Sequence, residues 1–149
     1  MLDALLRPKA IAVIGASRTP GKVGHELVAN LIDSGFEGPI VPINPSAEEV
    51  LGLPCYPDLE TYGQKIDMSI ISIPTPYVQQ AVESSIASGA GAIVTITAGF
   101  KEVGEEGAEL ERKIASICKS RGVSLLGPNC LGLINTHHSM NASFAKQMP

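Results

Sequence analysis

A glycine-containing stretch near the start of the chain has the residue types of a phosphate-binding turn. It follows an apolar run and reads Gly15-Ala16-Ser17-Arg18-Thr19-Pro20-Gly21-Lys22-Val23-Gly24. Glycine in a turn between a strand and a helix lets backbone N–H groups approach a phosphate, and the helix dipole favours its charge. Ser17 adds a hydroxyl donor, and Arg18 or Lys22 adds a cation. The stretch departs from G-x-G-x-x-G because Ser17 stands at the second glycine, so a plain tight connection is the alternative.

The second apolar run ends in an amide where dinucleotide sites usually have an acid. It ends Ile43-Asn44-Pro45, whereas NAD-binding domains place Asp or Glu there to bond the ribose hydroxyls. Asn44 keeps a donor without the charge that would repel a phosphate on that ribose. Coenzyme A carries such a 3′-phosphate and NAD does not, so the residue favours CoA. NADP also passes this criterion, although no arginine cluster follows, and a simple Asn-Pro turn is the alternative.

The cysteines form no catalytic or metal-binding pattern. Cys55, Cys118 and Cys130 are widely spaced and include no C-x-x-C pair, which argues against a disulfide framework and against a zinc site. Cys118 lies at helical spacing among isoleucines and is expected in the core. Cys130 has no base beside it in the sequence and is not predicted to be a nucleophile.

Short apolar runs alternate with segments of helical periodicity. The runs are Ala10–Ile14, Ile40–Ile43, Met68–Ile73, Ala92–Thr97 and Val123–Leu126. Continuous runs rich in Ile and Val are typical of strands buried on both faces. Three helical segments lie between them and end before Gly35, Gly89 and Gly122, the residue type expected just past a helix C-terminus.

Strands that alternate with helices need crossover connections, so the predicted sheet is parallel and covered on both faces. The fold class is therefore α/β, a doubly wound and mostly parallel Rossmann-like sheet that binds ligands beyond the strand C-termini. Thr75-Pro76 predicts a helix start, with the Thr75 hydroxyl at the N-cap. The segment from Pro45 to Asp67 stays open between helical turns and short extended pieces. Leu133–Asn135 predicts a further strand.

The length, the composition and the net charge of the chain limit the number of domains and the class of partner. The 149 residues fit one domain, 1–149, and 44% hydrophobic with 17% charged residues is typical of a globular chain. A net charge of −4 gives no long-range attraction to nucleic acid or anionic lipid. Neither a signal peptide nor a membrane span is evident, so a cytoplasmic location is expected. Because no closing helix follows Leu126, the sequence is interpreted as a domain excised from a longer chain.

Taken together, five motifs at the predicted strand ends give the sequence a specific family resemblance. They are Ile11–Arg18, Val41–Pro45, Ile71–Pro74, Ile96–Phe100 and Gly127–Gly132. In this order they resemble the CoA-binding domain of the NDP-forming acyl-CoA synthetases, relatives of the succinyl-CoA synthetase α subunit. The resemblance covers nearly the whole chain and implies binding of CoA or acyl-CoA.

The resemblance also implies a role for each matching residue. Around the CoA phosphates it places Gly15, Ser17, Arg18, Pro20 and Gly24. Near the adenosine it places Asn44 and Pro45, and beside the nucleotide and pantetheine arm Ile73, Pro74 and Thr75. The loop over the arm is Ala98, Gly99 and Phe100, and the loop near the thiol end is Pro128, Asn129 and Cys130. In the family a lysine or arginine commonly follows the Asn-Pro pair, where this sequence has Ser46.

The histidines bear on which step of the family's reaction this chain carries out. Such synthetases use a phosphohistidine domain and an ATP-grasp domain, which the resemblance implies as partners in cis or in trans. His137 and His138 match no family motif. His25, beside Gly24, is expected to be a solvated helix residue, with contact to a phosphate as the alternative. The chain is therefore predicted to bind CoA without catalysing ligation alone. The alternatives are a CoA-binding sensing module, free or fused to an acetyltransferase, and a NAD(P)-binding module.

Overall fold

Runs of buried apolar residues form the strands that organise the fold. The computed structural model describes residues 2–146. Its strands are β1 (Ile11–Ile14), β2 (Ile40–Ile43), β3 (Glu49–Val50), β4 (Leu53–Pro54), β5 (Met68–Ile71), β6 (Ala92–Thr95), β7 (Ser124–Leu126), β8 (Gly132–Asn135) and β9 (Met140–Ser143). Its helices are α1 (Asp3–Leu6), α2 (Val23–Asp33), α3 (Leu59–Tyr62), α4 (Val78–Ala87) and α5 (Glu105–Ser120). Every residue of β1, β5 and β6 is buried, as expected for strands covered on both faces.

Five strands pair in the order β2-β1-β5-β6-β7, and every pairing is parallel. Ile14 at the end of β1 lies beside Ile43 of β2 and Ile71 of β5, so the three carboxyl ends are level. The chain leaves β1 for β2 and then returns to the other side of β1 for β5. The topological switch point, where such sheets bind ligands, is therefore between β1 and β5.

The alternation of side chains along β1 divides the core into two layers. Ile11 and Val13 face the layer that contains Leu27 of α2, whereas Ala12 and Ile14 face the layer that contains Val82 of α4. Helices α3, α4 and α5 all contribute buried residues to the second layer. The prediction of a doubly wound α/β sheet is confirmed.

All five predicted strands are present, but β1 and β7 each begin one residue later than predicted, and two others end two residues early. The runs Met68–Ile73 and Ala92–Thr97 form strands only as far as Ile71 and Thr95. Beyond these residues a side chain takes over from the backbone hydrogen bonds between β5 and β6, because the Thr97 hydroxyl donates to the Ile73 carbonyl at 2.7 Å. The apolar pattern continues past the strand ends because these residues begin the loops at the carboxyl edge.

The helices end as predicted, and one of them starts differently. Gly35, Gly89 and Gly122 follow α2, α4 and α5 with positive φ angles, which is the expected left-handed C-terminal turn. Thr75 does not cap α4. It begins a 3₁₀ turn at Thr75–Tyr77, and its hydroxyl donates to the Ala98 carbonyl at 2.8 Å. The N-cap prediction is wrong because the hydroxyl donates to a carbonyl of a distant loop instead.

Within residues 2–146, no helix is long and apolar enough to cross a membrane.

The segment left open by the sequence contains a small hairpin and a short helix. Strands β3 and β4 pair antiparallel, and α3 follows with Asp58 at its N-cap, where the Asp58 carboxylate accepts the Thr61 N–H at 2.7 Å. Tyr56 forms an isolated parallel bridge to Ile43, so this segment covers the outer edge of β2.

A second hairpin stands where a doubly wound fold would have its last helix. The predicted strand at Leu133–Asn135 is present as part of β8, but it pairs antiparallel with β9 outside the main sheet. Met140 and Ala142 of β9 are fully buried in the core layer of α2. The Asn30 amide of α2 donates to the carbonyls of Ser143 and Ala145 at 2.8 and 2.7 Å. The residues that follow the main sheet therefore complete its core.

Replacement of Asn30 tests whether the β8–β9 hairpin contributes to stability. Asn30→Ala leaves two carbonyls without their donor, and the free energy of unfolding should fall by about 1–3 kcal/mol. The matched control is Asp33→Ala, an exposed position on the same helix, which should change it by less than about 0.5 kcal/mol. Urea unfolding followed by circular dichroism measures both. Equal stability of the two variants would contradict a structural role for the hairpin.

Candidate functional site

The connection from β1 to α2 is the predicted phosphate turn, and its first position requires glycine. Gly15 has a φ of +95°, and a Cβ there would lie 2.1 Å from the Ser72 carbonyl oxygen. The N–H groups of Gly15 and Ala16 donate to the Ile43 carbonyl at 3.0 and 3.2 Å. The turn is thus in close contact with the ends of both β2 and β5.

The next residues of the turn present unpaired backbone donors. Within residues 2–146, the N–H groups of Ser17 and Arg18 donate to no protein acceptor. The Ser17 hydroxyl accepts the Thr19 N–H at 3.0 Å, which keeps the bend tight. Adjacent unpaired N–H groups before a helix form a concave site that favours an anion.

The far end of the turn is already occupied by a carboxylate of the protein. The Gly21 N–H donates to Glu26 at 3.1 Å, and this bond is the main reason that the pKa of Glu26 lies below its ordinary value. Pro20 is exposed and has no N–H to offer. Among the residues of the turn that precede α2, Ser17 and Arg18 therefore remain as donors to an anion.

Gly24 sets the distance between α2 and the turn. It is buried in the first turn of the helix, and a Cβ there would lie 1.9 Å from the Gly15 carbonyl oxygen.

The prediction that His25 is a solvated residue is wrong, because α2 turns this side chain inward and leaves only 13% of it exposed. Its Nδ1 lies 3.4 Å from a carboxylate oxygen of Glu26.

A cleft of about 570 Å³ opens beside the turn at the switch point. Of the predicted site residues it is lined by Gly15, Ser17, Asn44, Pro45, Ile73 and Pro74. The amide Nδ2 of Asn44 donates to the Ala16 carbonyl at 2.7 Å, so this side chain joins the cleft wall to the turn. The cleft therefore brings together the ends of β1, β2 and β5.

The opposite wall consists of residues that the sequence reasoning missed. They are Pro57, Asp58 and Leu59 around the start of α3 and Tyr77, Gln80, Ala81 and Ser84 along α4. Tyr77, Gln80 and Ser84 recur at helical spacing, which places them on one face of the helix. That spacing, together with the exposed Tyr77 ring, is the signal that could have found this wall.

Two threonines join the loops that follow β5 and β6. The Thr97 hydroxyl accepts the Ile73 N–H at 3.2 Å and donates to the Ile73 carbonyl, and Thr75 donates to Ala98. Gly99 lies so close to Thr75 that a Cβ would approach the Thr75 hydroxyl to 2.7 Å. Thr75, Ala98 and Gly99 therefore lie at the carboxyl edge but outside the cleft lining.

The Phe100 ring is not available to contact a ligand, so any contact from this residue must come from its backbone. Its side chain is completely buried in the core layer of α4 and α5. Because Gly107 has no side chain, α5 lies against the Phe100 backbone, and the ring points into the core. The loop is held instead by Glu102, whose carboxylate accepts the N–H groups of Gly99 and Phe100. Hydrogen bonds from backbone N–H groups, the largest effect coming from that of Phe100, hold the pKa of Glu102 below its ordinary value.

The loop after β7 reaches the same edge further along the sheet. The Asn129 N–H donates to the Thr97 carbonyl at 3.0 Å, and the Cys130 thiol donates to the Thr95 carbonyl at 3.4 Å. Neither residue lines the cleft beside β1. Burial raises the pKa of Cys130, which keeps it a neutral thiol and agrees with its predicted lack of nucleophilic character.

Cys118 and the tail histidines lie away from this edge, whereas the Cys55 thiol lies beside the end of β2 and donates to the Asn44 carbonyl. All three cysteines are free, and Cys118 is buried as predicted. Nε2 of His138 lies 2.8 Å from the Pro8 carbonyl, before the start of β1. The His137-His138 pair therefore lies at the opposite edge of the sheet from the cleft. In the part of the chain that the structure describes, no three His, Cys, Asp or Glu side chains form a metal-binding group.

Comparison with curated proteins finds CoA ligases. The chain is 44% identical over 148 residues to acetate–CoA ligase [ADP-forming] I of Archaeoglobus fulgidus, covering 99% of this chain and 21% of that protein. It is 40% identical over 144 residues to the α subunit of acetate–CoA ligase [ADP-forming] II of Pyrococcus furiosus, covering 97% of this chain and 31% of that subunit. The chain thus spans between about a fifth and a third of these relatives.

Solved structures agree with this relationship. The dinucleotide-forming acetyl-coenzyme A synthetase 1 of Ca. Korarchaeum cryptofilum, in complex with phosphate and ADP, superposes with a TM-score of 0.90 at 40% identity. The match covers 97% of this chain and 31% of that one. The family model described as the CoA binding domain matches residues 9–136. The predicted resemblance is confirmed, and the chain belongs to the family of CoA-binding domains found in ADP-forming acetate–CoA ligases.

Proposed function

We propose that coenzyme A lies across the carboxyl edge of the sheet, with its diphosphate at the β1–α2 turn and its adenosine in the adjacent cleft. The observation that carries this placement is the pair of unpaired N–H groups at Ser17 and Arg18. Each hydrogen bond to a charged acceptor contributes about 1.5–3 kcal/mol. These donors lie where the turn opens into the cleft.

The electrostatics of the cleft support binding through backbone donors. Its lining contains the Asp58 carboxylate and no lysine or arginine, so lining side chains supply no positive charge to hold a phosphate. Arg18 is exposed and follows Ser17, which lines the cleft. Burial raises the pKa of the Cys55 thiol beside Asn44, and the nearby positive charge of Arg18 opposes that rise. We expect Arg18 to supply a cation beside the phosphates, without the further cation that the family commonly has at the position of Ser46.

The nucleotide and the pantetheine arm are placed according to the polarity and the size of the surface at the carboxyl edge. The cleft beside Ile73, Pro74 and Tyr77 is mainly apolar and of the size that holds a nucleotide moiety. The pantetheine arm then follows the carboxyl edge past the loops that Thr75 and Thr97 join. Its thiol end approaches the loop of Asn129 and Cys130, as the resemblance implies.

In the parent protein we assign this domain the CoA-binding step of an acid–thiol ligase. Phosphohistidine and ATP-grasp domains, in cis or in trans, supply the phosphoryl chemistry, since His137 and His138 lie at the edge opposite the cleft. The order of domains in the parent gene tests this. Phosphohistidine and ATP-grasp domains support the ligase, whereas an acetyltransferase domain alone indicates a sensing module.

The identity of the ligand is tested by calorimetric titration of the purified chain with CoA and NAD. CoA should bind at least about tenfold more tightly, equivalent to roughly 1.4 kcal/mol, because the end of β2 lacks the acid that bonds a ribose diol. Tighter binding of NAD would reverse the assignment. Dephospho-CoA separates the parts of the ligand: if it binds as well as CoA, the ribose phosphate is not recognised.

A charge substitution at Arg18 tests the position of the phosphates. Arg18→Gln should weaken CoA binding about tenfold, since a charged hydrogen bond contributes about 1.5–3 kcal/mol. Arg121→Gln is the matched control, because it removes the same charge from an exposed residue after α5, at the opposite edge of the sheet. If both variants bind CoA equally well, Arg18 does not contact the ligand and the proposed phosphate position is wrong.

A further inference from the structure

Asn44 has partners within the protein for its backbone N–H and carbonyl, for Oδ1 and for one of the two N–H groups of Nδ2. Its N–H donates to the Tyr56 carbonyl at 2.9 Å, and its carbonyl accepts the Cys55 thiol at 3.7 Å. In the side chain, Nδ2 donates to the Ala16 carbonyl at 2.7 Å, and Oδ1 accepts the Ser46 N–H at 2.7 Å. The residue is half-buried at the wall of the cleft. A residue so engaged is held in one orientation before any ligand binds.

The Ala16 carbonyl belongs to the same peptide unit as the Ser17 N–H. In a trans peptide these two groups point in opposite directions within one plane. The Ala16 N–H is fixed as well, because it donates to the Ile43 carbonyl at 3.2 Å. The bond from Asn44 to the Ala16 carbonyl therefore sets the direction of the unpaired Ser17 N–H, aiming it away from Asn44.

We propose that Asn44 is a positioning residue, whose side chain orients the peptide between Ala16 and Ser17 so that the Ser17 N–H is aimed at the ligand's phosphate. The identity of the ligand in this proposal rests on the proposed function. The orientation of the peptide does not, because it is a property of the free protein. The proposal adds a role to the expectation that Asn44 donates to the adenosine, since Nδ2 carries a second N–H.

The two side-chain bonds require an amide at this position. The group must donate to the Ala16 carbonyl and accept from the Ser46 N–H at the same time. A carboxylate can accept but cannot donate, so Asp at position 44 would set two oxygens against each other at the distance now occupied by a hydrogen bond. Once protonated, the same acid regains a donor. Asn44→Asp should therefore behave as a pH-dependent version of the wild type.

Several neighbouring groups bear on such a pH profile. Arg18 acts on the same end of β2, and the Asp58 carboxylate lines the opposite wall of the cleft. The Cys55 thiol donates to the Asn44 carbonyl and has a raised pKa through burial. The Tyr56 ring packs edge-on against Tyr62. All four are present in every variant, and so is the titrating phosphate of CoA, so each variant is compared with the wild type at the same pH.

The first measurement uses the protein without ligand. In ¹⁵N relaxation experiments the Ser17 N–H should have a rigid order parameter of about 0.85 in the wild type and should fall toward about 0.6 in Asn44→Ala. Gln80→Ala is the control, because it removes an exposed amide from the same cleft without touching the turn. It should leave the Ser17 order parameter unchanged. An unchanged Ser17 order parameter in Asn44→Ala would overturn the proposal.

The second measurement adds CoA and varies pH from 8 to 4. Asn44→Ala should bind CoA roughly three- to tenfold more weakly than wild type, the range expected for one lost hydrogen bond. Asn44→Asp, which keeps the shape and serves if the alanine variant does not fold, should be equally weak at pH 8. Relative to wild type it should recover both affinity and Ser17 order toward pH 4, because the ordinary pKa of an aspartic acid is about 3.9 and the facing Ala16 carbonyl raises it. A deficit that does not change with pH would contradict the assigned bond to Ala16.

The two measurements separate the two proposals. If Ser17 becomes mobile in Asn44→Ala while CoA binds as before, Asn44 orients the peptide but the phosphate does not lie there, and the proposed function is at fault. If CoA binding falls while Ser17 stays rigid, Asn44 contacts the ligand directly and the positioning role is wrong.

Discussion

Contact between three backbone segments at Gly15 and Gly24 determines the geometry of the carboxyl edge. A Cβ on Gly15 would lie 2.1 Å from the Ser72 carbonyl, and a Cβ on Gly24 would lie 1.9 Å from the Gly15 carbonyl. The end of β5, the turn and the first turn of α2 can approach this closely only because both residues lack side chains. The helix N-terminus is thereby held against the switch point of the sheet. The free N–H groups of the turn and the cleft beside them follow from that contact.

Hydrogen bonds between neighbouring loops then make the edge rigid. Asn44 joins the end of β2 to the turn, Thr97 joins the loops after β5 and β6, and Asn129 donates from the loop after β7 to Thr97. These bonds connect the end of β2 to the turn on one side and the loops after β5, β6 and β7 on the other, and the Ser72 N–H, which donates to the Ile14 carbonyl at 2.9 Å, joins the two sides. A cleft with few cations requires such order, because aligned dipoles bind an anion well only when they are fixed in advance. The acidic net charge of the chain is compatible with an anionic ligand for the same reason.

How far the sequence predicts this structure depends on the range of the interaction involved. The five central strands follow from their own apolar runs, and Gly35, Gly89 and Gly122 mark helix ends through local backbone geometry. Local reasoning failed for Thr75, since the partner of its hydroxyl is the distant Ala98 carbonyl, and no sequence signal indicates that the packing of α5 buries the Phe100 ring. The wall formed by Tyr77, Gln80 and Ser84 was missed because helical spacing shows that residues share a face without showing what that face meets.

The other assignments depend on binding of CoA at the carboxyl edge through the β1–α2 turn. An NMR titration of the ¹⁵N-labelled chain with CoA tests this binding without altering the protein, because the ligand's position is read at each backbone N–H. The largest shift changes are expected at Ser17 and Arg18, with smaller ones at Asn44 and Ile73 along the cleft. Changes concentrated instead at Phe36, Gly38 and His138, at the opposite edge of the sheet, would show that the ligand binds elsewhere and would contradict the account.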